Sequence, residues 1–268
     1  MHADSHFTIG KTHKVCQDYA RAGKATEGKA FAILSDGCSS SPDTDLGARL
    51  LTLTTANSFQ LSWLFTGWDI CHEDIALAAR DSLGELAPLE ALDATLLVAK
   101  EGPGGVGVTV IGDGVVACLR KDGVLEVIDV NYKNAPGYLS YYFSPGRWET
   151  YLKQGCNKRT ITWYTSEGLT SEDQEVTMEN LAWTHFFPTA EYKVVFLFSD
   201  GVHSFRKDNG LSWDSVSMTE VVEQLTAIKG ATGAFVQRRM QAFENRFCRD
   251  NHWQHDDDLA MASIWMEN

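Results

Sequence analysis

The chain has 268 residues, 44% of them hydrophobic and 22% charged, and 23 basic against 36 acidic side chains give a formal net charge of −13. An acidic surface repels nucleic-acid phosphate, which excludes DNA and RNA as expected partners. No apolar run approaches the ~20 residues that cross a bilayer, and the N-terminal MHADSHFTIGKTHK lacks the apolar core of a signal peptide. The chain therefore reads as a soluble, cytoplasmic protein without a membrane partner. The six cysteines, Cys16, Cys38, Cys71, Cys118, Cys156 and Cys248, include no CxxC pair and match no zinc spacing. Free thiols are expected of them.

In chain order, residues 5–10 predict a short strand, and Arg21 to Lys29 a charged hairpin loop. Lys29 to Ser35 is nearly all apolar, as in a strand buried on both faces. After SDGCSSSPDTD, with Pro42, Asp43 and Thr44 as start signals, a helix is expected from near Leu46. Its apolar positions are Leu46, Leu50, Leu53, Ala56 and Leu61. A second helix is expected over Asp69 to Leu86, ending near Pro88. DATLLVA, GVTVIGD, VVACLRK and VLEVIDV then read as four strands of a β-meander. TITWYT and YKVVFLFSD predict further strands, whereas residues 133–190, with Trp148, Trp163 and Trp183 among polar neighbours, predict loops and excursions. Helices are expected over Met218 to Ile228 and Ala231 to Arg249, and LAMASIWM reads as a last strand. Strict βαβ alternation is absent, so helices outside antiparallel sheets fit better than a doubly wound fold. No segment is long or biased enough to serve as a linker, so one domain over 1–268 is expected.

One phrase occurs twice. FAILSDG (Phe31 to Gly37) and VFLFSDG (Val195 to Gly201) are apolar runs of strand length ending in Ser-Asp-Gly, and VTVIGDG ends similarly at Asp113-Gly114. A single Asp-Gly after a strand is commonly a turn. The repeat suggests instead that Asp36 and Asp200 meet as hard oxygen ligands suited to Mg²⁺ or Mn²⁺, with each glycine letting a ligand approach the backbone. His255-Asp256-Asp257-Asp258 precedes the last strand. Such a run is ordinarily a solvated acidic turn, but here it would lie at the same sheet end.

These elements, together with Cys16-Gln17-Asp18-Tyr19-Ala20, Asp93-Ala94-Thr95-Leu96 and Ile111-Gly112-Asp113, resemble in order the blocks of the metal-dependent, type 2C protein phosphatases of bacterial type. The matching blocks run through nearly the whole chain, and Phe198-Ser199-Asp200-Gly201-Val202 is the most specific of them. The resemblance implies an α+β fold, a four-layer α-β-β-α sandwich of two antiparallel sheets flanked by helix pairs. It also implies two Mg²⁺ or Mn²⁺ ions per chain. Asp36 would bridge them and the Gly37 carbonyl would bind one, while Asp200 and Asp257 would hold the other. Asp18 would orient water on the metals, and Asp113 with Asp200 would complete an optional third metal site. The implied activity is hydrolysis of protein phosphoserine or phosphothreonine by water, opposite a cognate kinase, in a monomer.

The chain departs from the family at three places. His13 stands where many members have a phosphate-gripping arginine, leaving His13 or a nearby lysine, Lys11 or Lys14, to hold the phosphate; His13 reads equally well as a plain strand residue. Gln17 replaces a common glutamate, and Cys38 follows Asp36-Gly37 where eukaryotic members have a histidine. Two further readings stay open on the residues. The protein would be a weak or inactive relative acting as a binding or regulatory module, or a phosphatase of a small phosphorylated molecule. Gly102-Pro103-Gly104-Gly105-Val106-Gly107 satisfies GxGxxG, but a strand follows where a dinucleotide loop needs a helix, so a hairpin turn is expected. His252 and His255 read as surface or loop residues rather than zinc ligands.

Overall fold

The computed structural model describes residues 1–60 and 71–266. In chain order the strands are β1 (His2–Thr8), β2 (Asp18–Lys24), β3 (Ala30–Asp36), β4 (Leu96–Gly102), β5 (Gly105–Ile111), β6 (Gly114–Arg120), β7 (Leu125–Tyr132), β8 (Lys158–Thr165), β9 (Gly168–Glu175), β10 (Ala182–Pro188), β11 (Tyr192–Phe198), β12 (Phe205–Asp208), β13 (Trp213–Ser215), β14 (Trp253–His255) and β15 (Leu259–Trp265). The helices are α1 (Thr44–Gln60), α2 (His72–Leu83), α3 (Pro145–Lys153), α4 (Met218–Thr226) and α5 (Phe235–Ala242). The last continues through a π-helical stretch, Phe243–Cys248, and a final turn, Arg249–Asn251.

Seven strands form one sheet in the order β1-β15-β11-β6-β7-β8-β9, and five form a second in the order β10-β5-β4-β3-β2. Every pairing is antiparallel. Strand period explains the layering. In β3, Ala32 and Leu34 face the other sheet and join Leu97, Val108, Val116, Val195 and Ala262 in a core between the two. Phe31 and Ile33 point the other way, onto Leu51 and Phe59 of α1 and Ile75 and Ala79 of α2. Across the sandwich, Phe196 and Phe198 of β11 meet Val221 and Leu225 of α4 and Phe235 and Met240 of α5. Both sheets are therefore buried on both faces at their centres, which is why their central strands read as apolar runs without alternation. This is the expected four-layer α-β-β-α arrangement.

Several expectations are corrected. The four-strand meander is two hairpins in different sheets, β4–β5 in one and β6–β7 in the other, and the turn at Gly112-Asp113 carries the chain across. Arg21 to Lys24 belong to β2 rather than a loop; β2 is an edge strand, where charge is compatible with pairing. Residues 133–190 hold α3 and β8 to β10. The polarity of β9 reflects an exposed edge position, not the absence of a strand. The final helix begins at Phe235, four residues later than expected, and Asp4 Oδ2 accepts the Val236 N–H there at 2.6 Å. The first helix begins at Thr44. Leu61 and the expected start of the second helix at Asp69 lie outside the described residues. A third, three-stranded sheet, β13-β12-β14, was not foreseen. The GxGxxG segment is the β4–β5 hairpin, with Gly104 at φ +77°. Among the described residues, no helix is long and apolar enough to cross a membrane, and all six cysteines are free thiols.

Candidate active site

The two long sheets deliver their acidic residues to one end of the sandwich. β3 ends at Asp36, and antiparallel pairing sets Asp18, the first residue of β2, directly opposite it. β11 ends one residue before the Ser199-Asp200-Gly201 turn, and Asp257 precedes β15, which pairs with β11. Asp113 sits in the turn that crosses between the sheets. Asp36, Gly37, Asp113, Asp200 and Asp257 line one cleft of about 190 Å³, together with Cys38, Ser39, Thr95, Asn134, Pro136 and Tyr138. Asp18 lies behind it, 2% exposed.

The two serines of the repeat anchor this cluster. Ser199 Oγ donates to Asp18 Oδ2 at 2.7 Å and accepts from Ala260 N at 2.8 Å, so it ties the two sheets together behind the cleft. Ser35 Oγ donates instead to the Thr95 carbonyl within its own sheet, and Thr95 Oγ1 accepts the Asp36 N–H at 3.1 Å. The two glycines also meet a local packing demand. A Cβ on Gly201 would stand 1.8 Å from the Asp258 carbonyl oxygen, and one on Gly37 would stand 2.7 Å from the Thr44 carbonyl oxygen. On the side where a Cβ would stand, the chain's own backbone packs against both glycines.

The carboxylate electrostatics are those of an anion crowd. Burial, with the charges of Asp200 and Asp258, raises the Asp18 pKa from 3.8 to about 8 against the opposing hydrogen bonds of Asp36 and Ser199. Burial and the charges of Asp18 and Asp200 push Asp36 well above its ordinary value. Burial and Asp200 raise Asp113 to about 7, and burial and Asp200 also raise Asp257. Asp18 Oδ1 is buried and has no hydrogen-bond partner. Without a cation the cluster holds protons; a cation would take their place. Among the described residues, no three His, Cys, Asp or Glu side chains are gathered into a cage that could hold an ion. Mg²⁺ and its like need no such cage, because they keep several waters and bind through one or two carboxylates. All-oxygen donors, mutual repulsion and an orphaned buried oxygen fit a hard divalent cation.

Asp258, beside Asp257 in sequence, does different work. It is 2% exposed and accepts the Gly10 N–H at 2.7 Å and the Gln17 N–H at 2.6 Å, stapling the loop between β1 and β2 to the start of β15. His13 sits within that loop. Its Nδ1 lies 3.0 Å from Asp258 Oδ2 and its Nε2 3.4 Å from Asp257 Oδ1. The Nδ1 contact is too poorly aligned for a hydrogen bond and is better described as an ion pair. Closeness to Asp258 raises the His13 pKa, burial opposes this, and the charges of Asp258, Asp257 and Asp18 add to the rise. His13 thus faces the acidic cluster. It lines a neighbouring 260 Å³ cavity that shares Asp257 with the cleft and also holds His203 and Arg206. Lys14 is exposed and lines neither space. Gln17 Nε2 donates to Thr44 Oγ1 at 2.8 Å, which commits its amide to the start of α1. His255 is a strand residue stacked on Phe205, rather than a loop residue.

The structure also gives partners that the sequence did not show. Asp93, 2% exposed, accepts from Ser41 Oγ at 2.7 Å, Ser140 Oγ at 2.5 Å and Arg147 Nη2 at 2.6 Å. Its carbonyl also accepts the Cys38 N–H at 2.8 Å. This carboxylate ties α3 and the turn before it, which carries Tyr138 into the cleft, to the loop after Asp36. His203 Nε2 and Asp129 Oδ1, 3.2 Å apart, pair near Asp200 and Asp113. Asp93 belongs to a block that the sequence had matched, but neither pairing was legible there. Each joins residues tens of positions apart, whereas Ser199 was flagged by the repeat.

A layered sandwich with hard carboxylates converging at one end is the architecture of a metal-dependent phosphoester hydrolase. A family model described as Protein phosphatase 2C matches residues 9–243, and the chain belongs to that family of metal-dependent serine/threonine phosphatases. A variant of a bacterial serine phosphatase has a similar structure at a TM-score of 0.56 and 15% identity, covering 100% of this chain and 99% of the other. Serine/threonine phosphatase Stp1 from Staphylococcus aureus gives 0.55 at 14% identity, covering 100% and 96%. The Mycobacterium tuberculosis phosphatase PstP/Ppp gives 0.52 at 15%, covering 99% and 98%. At these identities the likeness concerns the fold. A search of curated protein sequences gave no match.

Proposed function

We propose that the chain hydrolyses phosphoserine and phosphothreonine in a protein substrate, opposite a kinase, with two Mg²⁺ or Mn²⁺ ions held at the cleft. The observation that carries this reading is the convergence of Asp36, Asp113, Asp200 and Asp257, far apart in sequence, on one cleft. The PstP catalytic domain, similar at a TM-score of 0.50 and 16% identity, is described in complex with two manganese ions, which supports the choice of metal.

In this reading Asp36 and the Gly37 carbonyl, with Asp200 and Asp257, hold the metals, and Asp113 with Asp200 offers an optional third position. Bound metals would neutralise the phosphoryl oxygens and bring the pKa of water toward neutrality. Asp18 is fixed through Oδ2 by Ser199 and keeps Oδ1 free, so it can hold or pass a proton next to Asp36. His13 supplies positive charge at the rim of the cluster, and exposed Lys14 stands next to it in the chain as a second cation toward the substrate phosphate. Thr95, Asn134 and Tyr138 shape the wall against which the phosphorylated side chain lies.

The test is Mn²⁺-dependent phosphate release from a chromogenic aryl phosphate, followed by a phosphopeptide panel. EDTA is expected to abolish the rate, and Asp200→Ala to lower it by about 10²-fold or more, the scale on which a lost charge-stabilising group acts. A rate indifferent to both overturns the proposal.

A further inference from the structure

A separate cavity, of about 470 Å³, lies where the α4–α5 connection meets the first turns of α5. It shares no lining residue with the carboxylate cleft. Its lining is anomalous for a chain of net charge −13: Lys229, Arg238 and Arg239 converge on it, and no acidic residue does. None of the three makes an ion pair among the described residues. Arg239 is partly buried; its Nη2 donates to the Gln224 carbonyl in the last turn of α4, and its Nε is buried with no partner. Arg238 donates to the Thr232 carbonyl. The backbone at the start of α5 is already served by Asp4, whose Oδ2 accepts the Val236 and Gln237 N–H groups at 2.6 and 3.3 Å. The attraction for an anion therefore rests on side chains and not on the helix end. Ile228 and Phe235 also line the cavity and supply its large apolar side chains.

We propose that this cavity binds a small organic anion, a phosphate or phosphonate group on an apolar body. Lys229, Arg238 and Arg239 take the charged group, and Ile228 and Phe235 the body. A guanidinium taken out of water without a counter-charge is costly, and an anion held in the cavity offsets that cost. Burial accordingly lowers the Arg239 pKa, with no carboxylate to raise it. The cavity volume falls within the range usual for small-molecule sites, and Arg forks suit phosphoryl oxygens.

The experiment is calorimetric titration of the full, EDTA-treated chain with phenylphosphonate, whose carbon–phosphorus bond a phosphomonoesterase does not cleave. Saturable one-to-one binding is expected, weakening as salt is added. Inorganic phosphate should bind more weakly, and equal affinity would overturn the role given to the apolar side chains. Lys229 and Arg238 are exposed, so the double variant Lys229→Ala/Arg238→Ala should keep the wild-type melting curve. Its affinity should fall about a hundredfold, about tenfold for each charge removed. Arg238→Glu, a single charge reversal, should do the same should the double variant melt early. Asp200→Ala should bind as the wild type does. No saturation, unchanged binding in both cavity variants, or loss of binding in Asp200→Ala overturns the proposal.

Discussion

At the end of β3, Ser35 turns its hydroxyl onto the Thr95 carbonyl of its own sheet, and Gly37 packs against the first residue of α1. At the end of β11, Ser199 reaches across to Asp18 of the other sheet while also receiving the Ala260 N–H, and Gly201 packs against Asp258. The two corners have the same three residues after similar apolar strands. One is fastened within a layer, and the other fastens the layers to each other. The difference teaches that a repeated phrase can specify a repeated local shape without a repeated partner. It also predicts that the β11 corner couples cation binding to the stability of the whole sandwich, while the β3 corner acts locally.

The largest effect that would test this coupling is on pH and metal. Asp18 and Asp113 titrate at about 8 and about 7, raised from 3.8. Between roughly pH 4 and pH 8 the folded chain thus holds more protons than the unfolded one. Metal-free stability is then greatest below this window and falls as pH rises through it, by about 1.4 kcal/mol per pH unit for each proton involved. Denaturant melts in EDTA at pH 5 and pH 8 check the sign, and Mn²⁺ should stabilise more at pH 8. A metal-free protein more stable at pH 8 than at pH 5 would break the picture.

Next in size is Asp18→Asn. It removes a buried charge while keeping the shape, so the metal-free chain should gain stability at pH 8, and Mn²⁺ affinity should fall about 10–100-fold. Thermal melts paired with Mn²⁺ titration read both. Ser199→Ala follows. It strips Asp18 of a hydroxyl partner inside the protein and should cost about 1–3 kcal/mol, with a measurable loss of Mn²⁺ affinity. Ser35→Ala should cost only about 1 kcal/mol and leave Mn²⁺ affinity unchanged. Equal losses of affinity in the two serine variants would erase the distinction between the corners.

Much of this was legible in the chain. The apolar runs at β3, β11 and β15 announce strands covered on both faces, and the acidic residues at their ends fall where strand ends fall. Asp36, Asp113, Asp200 and Asp257 meet because sheet pairing aligns those ends. The sequence could not show that Asp258 serves the backbone while its neighbour Asp257 faces the cleft, because adjacent residues at a strand start point in opposite directions. Nor could it show Asp93 and Arg147 meeting, since their 54-residue separation spans the crossing between sheets. β9 escaped notice because an exposed edge strand has no apolar face to announce it. The basic cavity beside α5 was invisible for another reason: Lys229, Arg238 and Arg239 look like ordinary surface charges until the connection folds them onto one space.

The pairing of β1 with β15 has a consequence for how the protein is made. His2 lies opposite Trp265, and Thr8 opposite Leu259, so among the described residues β1 has as its neighbour in the sheet a strand from far along the chain. The loop carrying His13 is likewise held by Asp258. Until residues near 265 emerge, the nascent chain has an unpaired edge strand and lacks Asp257. The acidic cluster cannot assemble before β15 emerges, and its completion coincides with the closing of the sheet. Such long-range closure is slow to search for, and it ties assembly of the cleft to the presence of β15.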